Sequence, residues 1–388
     1  MTKLLDRIDI PAFRKRQSEA RAQGRRLGLG VGQELTPEGC AMPGALMISA
    51  YDGATVRIAP SGDVTVLTGI TSPGCGNETA LAQIAADVLG CKLESIRVVQ
   101  GDTELCPYGL GNYSSRGTMY GGSATQLAAG ELREKLLTVA GSMLEAAPAD
   151  LDAADGRIFV KGSPERGIEL DTVVNEIYRH TFGKHADQVE PGLEATRYFR
   201  MGNIYHQPET QGRFSNYPAW PFGSSAALVD VDEETGVVRI LDYTLVEDAG
   251  TVINPLLVDA NLQGAITQGL GSAMYESIEY DESGQLQTAT LMDYTIPTAL
   301  EVPNFTIEHQ ETPSPFTPLG QKGAGESGVG SSLGAICAGI EDAFPELDLR
   351  ITQLPLTPYR VWKAIRDARR AAEAGNGVAA RNGVEVAR

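Results

Sequence analysis

Four glycine-rich stretches of this 388-residue chain carry the side chains best suited to chemistry. In Pro318-Leu-Gly-Gln-Lys-Gly-Ala-Gly-Glu-Ser-Gly-Val-Gly330, Glu326 is a lone carboxylate held between glycines ahead of an apolar run. With so little bulk nearby, a substrate can reach its oxygens, as a general base requires. Lys322, four residues earlier, would keep that carboxylate ionised if the two paired. The alternative is a solvated Lys/Glu pair in a surface loop. Ser72-Pro-Gly-Cys-Gly-Asn-Glu-Thr79 offers free backbone N–H groups where a turn opens a helix, which suits an anion or a simple helix cap. Tyr108–Ser123 holds five glycines, three serines and Arg116. An arginine among hydroxyls and N–H groups suits phosphate or another anion, the alternative being a solvated loop. Finally, Glu247–Pro255 leads into a helix bearing Gln263, Gly264, Gln268, Gly269 and Gly271. Gln268 is an amide on an apolar helix and needs a partner, either backbone or ligand.

The elements that must hold these stretches follow from periodicity. Residues 11–26 read as a basic helix entered at Pro11 and ended near Gly28. Residues 54–70 alternate around the turn Pro60-Ser61-Gly62-Asp63, a hairpin pattern. Asn77 can cap a helix with Leu81, Ile84, Ala85, Val88 and Leu89 on one face, closed by Gly90. A strand at 95–102 and a helix from about Thr125 to Leu144 follow. A strand is expected around 157–162 and a short helix around 171–180. Residues 201–223 are irregular and suggest a domain boundary. Beyond them come a hairpin over 224–248, an apolar helix Leu262–Tyr275, a third hairpin over 276–294 and a strand at 305–310. A helix near 332–344 and an amphipathic segment after Pro358 complete the chain. Strand pairs separated by single helices indicate an α+β fold, not a doubly wound sheet. The expected organisation is a first region at 1–210, a second at 211–372 and a loose tail at 373–388.

Composition bounds the function. Apolar residues make up 42% and charged residues 21%, which fits a globular chain and not a disordered one. A formal charge of −18 disfavours nucleic acid and anionic membrane surfaces as partners. No apolar run approaches a bilayer span, and the charged N-terminus does not resemble a secretory signal, so a cytoplasmic protein is expected. The five cysteines (Cys40, Cys75, Cys91, Cys106, Cys337) form no CxxC pair, which argues against a disulfide framework, zinc or iron–sulfur clusters within this chain. The four histidines are scattered without metal-ligand spacing. No Walker loop, nucleophile elbow, HExxH or strand-flanked GxGxxG is present.

Taken in this order and spacing, the stretches resemble the C-terminal half of the molybdopterin-binding large subunit of the xanthine dehydrogenase, aldehyde oxidase and carbon monoxide dehydrogenase family. VEDAGTVINPLLVDANLQGAITQGLG, TATLMDYTIPTA and ETPSPFTPLGQKGAGESGVG carry the resemblance, which runs from about Asp6 to Arg366. It implies two mixed sheet/helix molybdopterin-binding domains. Glu326 would match the catalytic glutamate beside molybdenum, and Gln268 the glutamine that contacts the pterin. Ser115, Arg116, Gly117 and Thr118 match a cofactor loop often written GSRST, with Gly117 in place of a serine. Gly74, Cys75 and Gly76 match a GQG turn, with Cys75 for glutamine and Asn77 for the histidine that often follows. Lys322 falls with the same cofactor-binding set. The implied cofactor is molybdenum–molybdopterin, a Mo-pyranopterin that can take a cytosine dinucleotide form. In this family the glutamate takes a proton while the metal centre accepts electrons, and it should be ionised and stripped of bulk water. Electrons would pass to iron–sulfur (2Fe-2S) and FAD groups on partner subunits.

The family's large subunit is longer than this chain, so the resemblance further implies a split subunit, as in the nicotinate dehydrogenase type. A separate N-terminal-half molybdopterin subunit would complete the pocket. The expected activity is water-derived hydroxylation of an N-heteroaromatic small molecule, nicotinate- or purine-like. Aldehyde or CO oxidation, and a non-catalytic cofactor-binding or assembly role, are the alternatives.

Overall fold

The computed structural model describes residues 1–42, 48–206 and 214–383. In chain order its elements begin with α1 (Thr2–Arg7), α2 (Ile10–Ala22), β1 (Arg26–Leu35), β2 (Tyr51–Ile58) and β3 (Val64–Thr68). Next come α3 (Asn77–Leu89), β4 (Ile96–Val99), α4 (Ser123–Leu144), β5 (Leu151–Ala154), β6 (Arg157–Val160) and β7 (Ser163–Glu169). They are followed by α5 (Leu170–Arg179), β8 (Glu194–Arg200), β9 (Tyr205–His206), β10 (Phe214–Ser215), β11 (Phe222–Val231) and β12 (Val238–Asp248). The last are α6 (Pro255–Met274), β13 (Phe305–His309), α7 (Val329–Asp342) and α8 (Pro358–Gly383). The fold is α+β, as the pattern indicated. One mixed four-stranded sheet has the order β4-β3-β2-β8, a second β1-β11-β12-β13, and a three-stranded sheet β5-β6-β7 lies beside the first.

The hairpin forms where its alternation places it. Val56 opposes Val66 and Ile58 opposes Val64, and all four are buried under α4 residues including Leu132, Leu136 and Val139. Sequestering each such side chain contributes about 1.5–3 kcal/mol. α3 closes on Gly90 at φ +69°, a left-handed position that glycine occupies without strain. Its N-cap, however, is Gly76, and Asn77 is the first helical residue and makes no capping bond.

The N-terminal reading needs correction. α2 stops at Ala22, and Arg26–Leu35 is a strand, not the end of a helix. Gly28, Gly30 and Gly32 all face α7. A Cβ on them would stand 1.9, 1.9 and 2.1 Å from the carbonyl oxygens of Gly339, Ala335 and Ser331. Two strand residues advance about 6.6 Å and four helical residues about 6 Å, so alternate glycines meet successive turns of the helix. Since β1 pairs with β11 from Arg26↔Val231 to Leu35↔Phe222, the first region does not own all of residues 1–210. Its opening strand belongs to the second sheet.

Three more expectations change. The hairpin at 276–294 reduces to one bridge, Tyr280 to Leu286. Its turn is sound, with Asp281 accepting from the Ser283 and Gln285 amides, but no neighbouring strand extends it. α6 starts at Pro255, capped by the Asn254 side chain, seven residues ahead of Leu262. α8 takes in residues 373–383 of the expected tail, and 384–388 lie outside the described residues, as do 207–213 of the irregular stretch. No described helix is long and apolar enough to cross a membrane.

Candidate active site

The four stretches converge. Cys75 and Asn77 from the turn before α3, Ser115, Gly117 and Thr118 with Asn112 from the glycine loop, residues between Ala249 and Asn261 around the start of α6, and Gln321, Lys322, Ala324 and Gly325 line one pocket of about 100 Å3. Each side has a local reason for its place. The loop after β4 folds back because Gly111 takes φ +75° and Ser114 and Ser115 both take φ +48°. Asn112 then bridges the loops, accepting from the Gly117 amide at 3.0 Å and donating to the Cys75 sulfur at 3.1 Å. Asn261 donates to the Cys75 carbonyl at 3.3 Å, which ties α6 to the same turn. Gln321 donates to the Thr118 carbonyl at 2.8 Å and to the Ser123 hydroxyl at 3.2 Å.

The structure brings several of the named residues together. Cys75, Ser115, Gly117, Thr118 and Lys322 line the pocket. Gly76 sits at φ +76° against Leu257, and Gly74 at φ +108° with open space around it.

Others depart from expectation. Arg116 is fully buried away from the pocket. It pairs with Asp52 at 2.9 Å, donates to the Tyr51 carbonyl and the Tyr113 hydroxyl, and stacks over the Tyr120 ring. Its terminal nitrogens are engaged inside the fold, and its Nε is buried without a partner among the described residues. Gln268 is exposed on α6 and lies outside the pocket. It sits two turns, about 10 Å, beyond Asn261, which is the amide that meets Cys75. Gln268 is thus exposed on this chain, and the amide of α6 that meets the Cys75 turn is the partly buried Asn261. Lys322 pairs with the buried Asp248 at 3.1 Å, not with Glu326. Glu326 itself follows the lining residue Gly325 and is exposed, so this chain alone does not strip it of water.

Burial identifies acids that spacing did not. Glu38, fully buried, accepts from the Ser115 hydroxyl at 2.8 Å and adjoins Glu326. Burial, with the neighbouring Glu326 charge, pushes its carboxyl up to about 8. Glu247 is equally buried, and neither of its oxygens has a hydrogen-bond partner among the described residues. Loss of water pushes it up to about 9. Glu34 caps α7 by accepting from the Ser331 and Gly328 amides. No spacing rule in the segment Glu34-Leu-Thr-Pro-Glu38 marks either acid.

The pocket's chemistry is that of neutral amides. Asn77 Nδ2 and Gln321 Oε1 are buried in its wall without partners, one an unused donor and the other an unused acceptor. Such orphaned groups call for a ligand edge that alternates acceptors and donors, as a pterin ring does.

Comparison with known proteins agrees. The family model described as "Molybdopterin cofactor-binding domain" matches residues 3–303. The nicotine 6-hydroxylase large subunit of Paenarthrobacter nicotinovorans is 37% identical over 94% of this chain and 43% of its own length. The carbon monoxide dehydrogenase large chain of Hydrogenophaga pseudoflava is 34% identical over 95% of this chain and 44% of its own. Among solved structures, quinoline 2-oxidoreductase from Pseudomonas putida 86 superposes with a TM-score of 0.84 at 39% identity, covering 95% of this chain and 45% of that one. The chain thus spans less than half the length of these relatives.

Proposed function

Since the chain belongs to the molybdopterin cofactor-binding family, we propose that it is one half of the catalytic subunit of a molybdenum hydroxylase, with Glu326 as its general base. The observation that supports this reading is the convergence of four separate glycine-rich stretches on one pocket whose lining includes Gly325, the residue before Glu326. When bound, the molybdenum–pterin group supplies two-electron redox chemistry that no side chain here can provide.

The chain's own residues do the rest. Asn77 and Gln321 would offer their unpaired amide groups to the pterin, while Asn112 and Asn261 hold the Cys75 turn in place. Gly74 leaves its backbone uncovered, so a ligand can approach the amides of that turn. A groove of about 690 Å3 along α3 shares Thr251 and Ile253 with the pocket, and it gives room for a cytosine dinucleotide extension. Glu326, flanked by Gly325 and Ser327, is free to take a proton at either carboxylate oxygen.

The substrate class we assign is an N-heteroaromatic ring hydroxylated with an oxygen derived from water. Its support is that relatives named for nicotine and quinoline match over nearly the whole chain. Electrons leave through iron–sulfur and FAD groups on partner subunits, and the remainder of the family's subunit, of which this chain spans less than half, completes the pocket. In the assembled complex, Glu326→Gln is expected to lower turnover by about 100- to 10,000-fold at unchanged molybdenum and pterin content. Retained turnover would remove Glu326 from the chemistry. Loss of the cofactor in the same variant would make it a binding residue.

A further inference from the structure

Glu38 has a place in the molecule that its burial alone does not explain. Ser115 donates to one of its oxygens at 2.8 Å and Ser114 to the other at 3.4 Å. The backbone amide of Glu326 faces the same carboxyl. A Cβ at Gly323 would stand 2.5 Å from Ser115 Cβ and 3.1 Å from Glu38 Cβ, so three stretches of chain meet there at contact distance. Glu38 is also fixed from behind. Its amide donates to the Ala219 carbonyl, the Gly39 amide donates to the Ser114 carbonyl, and the Tyr120 hydroxyl donates to the Gly39 carbonyl.

The charged surroundings are one-sided. The titratable groups that face Glu38 are Glu326 from the loop before α7, Glu247 from the end of β12 and the Tyr217 phenol ahead of β11. No Lys, Arg or His pairs with it among the described residues. A carboxyl sealed from water, beside other acids and without a cation, keeps its proton.

We propose that Glu38 is the positioning residue for Glu326: a protonated carboxyl that ties the 114–115 turn to the 323–326 turn and so fixes where the Glu326 side chain stands. The inference rests on Glu326 being the base. A neutral Glu38 accepts from Ser115 without repelling its neighbour, which leaves Glu326 as the acid of the pair that exchanges protons with the pocket. Once Glu38 ionises, two like charges share one turn, and the 323–326 segment loosens.

The test uses Glu38→Gln and Glu38→Ala in the complete complex. Glutamine copies the neutral acid. Wild-type amide-exchange protection over residues 323–327 should fall between pH 7 and 9, while Glu38→Gln stays flat across that range. The wild-type pH profile of kcat should carry an alkaline limb near pH 8 that Glu38→Gln lacks. Glu38→Ala should lose at least about tenfold in protection of the same amides at pH 7 and lower kcat more than it raises KM. Should Glu38→Ala fail to fold, Glu38→Gln alone decides. A glutamine variant that keeps the wild-type pH dependence, or that disrupts the turn at pH 7, would overturn the assignment. The exchange readout needs no turnover, so it judges the clamp even if Glu326→Gln shows that the base lies elsewhere.

Discussion

Arg116 and Asp52 meet at 2.9 Å with no exposure on either side, and burial still pushes Asp52 up to about 6 against the pull of the guanidinium. Gly69 and Gly109 make room for that carboxylate, since a Cβ on them would stand 2.8 and 2.1 Å from Asp52 Oδ1. Removing Arg116 leaves an uncompensated charge in the core. Arg116→Ala should therefore destabilise the protein by about 3–5 kcal/mol in urea titrations. A similar loss confined to cofactor content, with stability intact, would mean that the arginine faces the ligand after all. Glu247 makes the opposite case. Its folded value of about 9 lies above the ordinary 4.5, so its stabilising contribution is complete at low pH and is lost as pH rises through that interval. Glu247→Gln has no such slope, and its denaturation midpoint should gain on the wild type from pH 5 to pH 9. A constant difference at pH 5, 7 and 9 would show that the carboxyl is solvated.

The pairing of β1 with α7 depends on the absence of side chains. Gly30→Ala would drive a methyl into the Ala335 carbonyl, with 1.9 Å between them. A loss of at least about 1–3 kcal/mol is expected, read as a lower urea midpoint, with unchanged stability showing that the helix can lift away. The same feature explains what the sequence could and could not disclose. The β2–β3 hairpin and α3 are legible because their apolar periods and turn residues are local. In Arg-Leu-Gly-Leu-Gly-Val-Gly the glycines have no local purpose; they fit a helix some 300 positions later, so the stretch passes for the fraying end of α2. The site divides likewise. Cys75, Ser115, Gly117, Thr118 and Lys322 lie in stretches marked by glycine and do line the pocket. Arg116 and Gln268 carried the right chemistry in the right stretches, but side-chain direction, which no spacing records, turned one inward and the other to water. Glu38 and Glu247 are unmarked because burial, not spacing, gives them their character.

At the scale of the whole molecule, several large apolar side chains are left exposed, three of them in one irregular segment. Leu256 is 77% exposed, Leu291 78%, Met292 92% and Leu300 94%, and the last three lie in a stretch without paired strands. Isolated exposed leucines are ordinary, but several in one irregular segment mark a contact surface. The chain spans less than half of the relatives' length, and on the reading proposed above the rest of such a subunit is the expected cover. Met292 should then oxidise readily in this chain alone and resist peroxide in the assembled complex. Equal oxidation in both would place the partner elsewhere.

The position of β1 also bears on how the chain is made. Its ten residues are made well before their partners, since the strand that flanks them begins at Phe222 and the helix that covers them at Val329. Closing a loop of that size costs entropy before any contact forms, so the second sheet cannot assemble until Val329–Asp342 has been made. Until then an apolar, glycine-laced ribbon waits with both edges bare. A nascent chain stalled before residue 222 should accordingly cling to a holdase chaperone, and one released past residue 342 should let go.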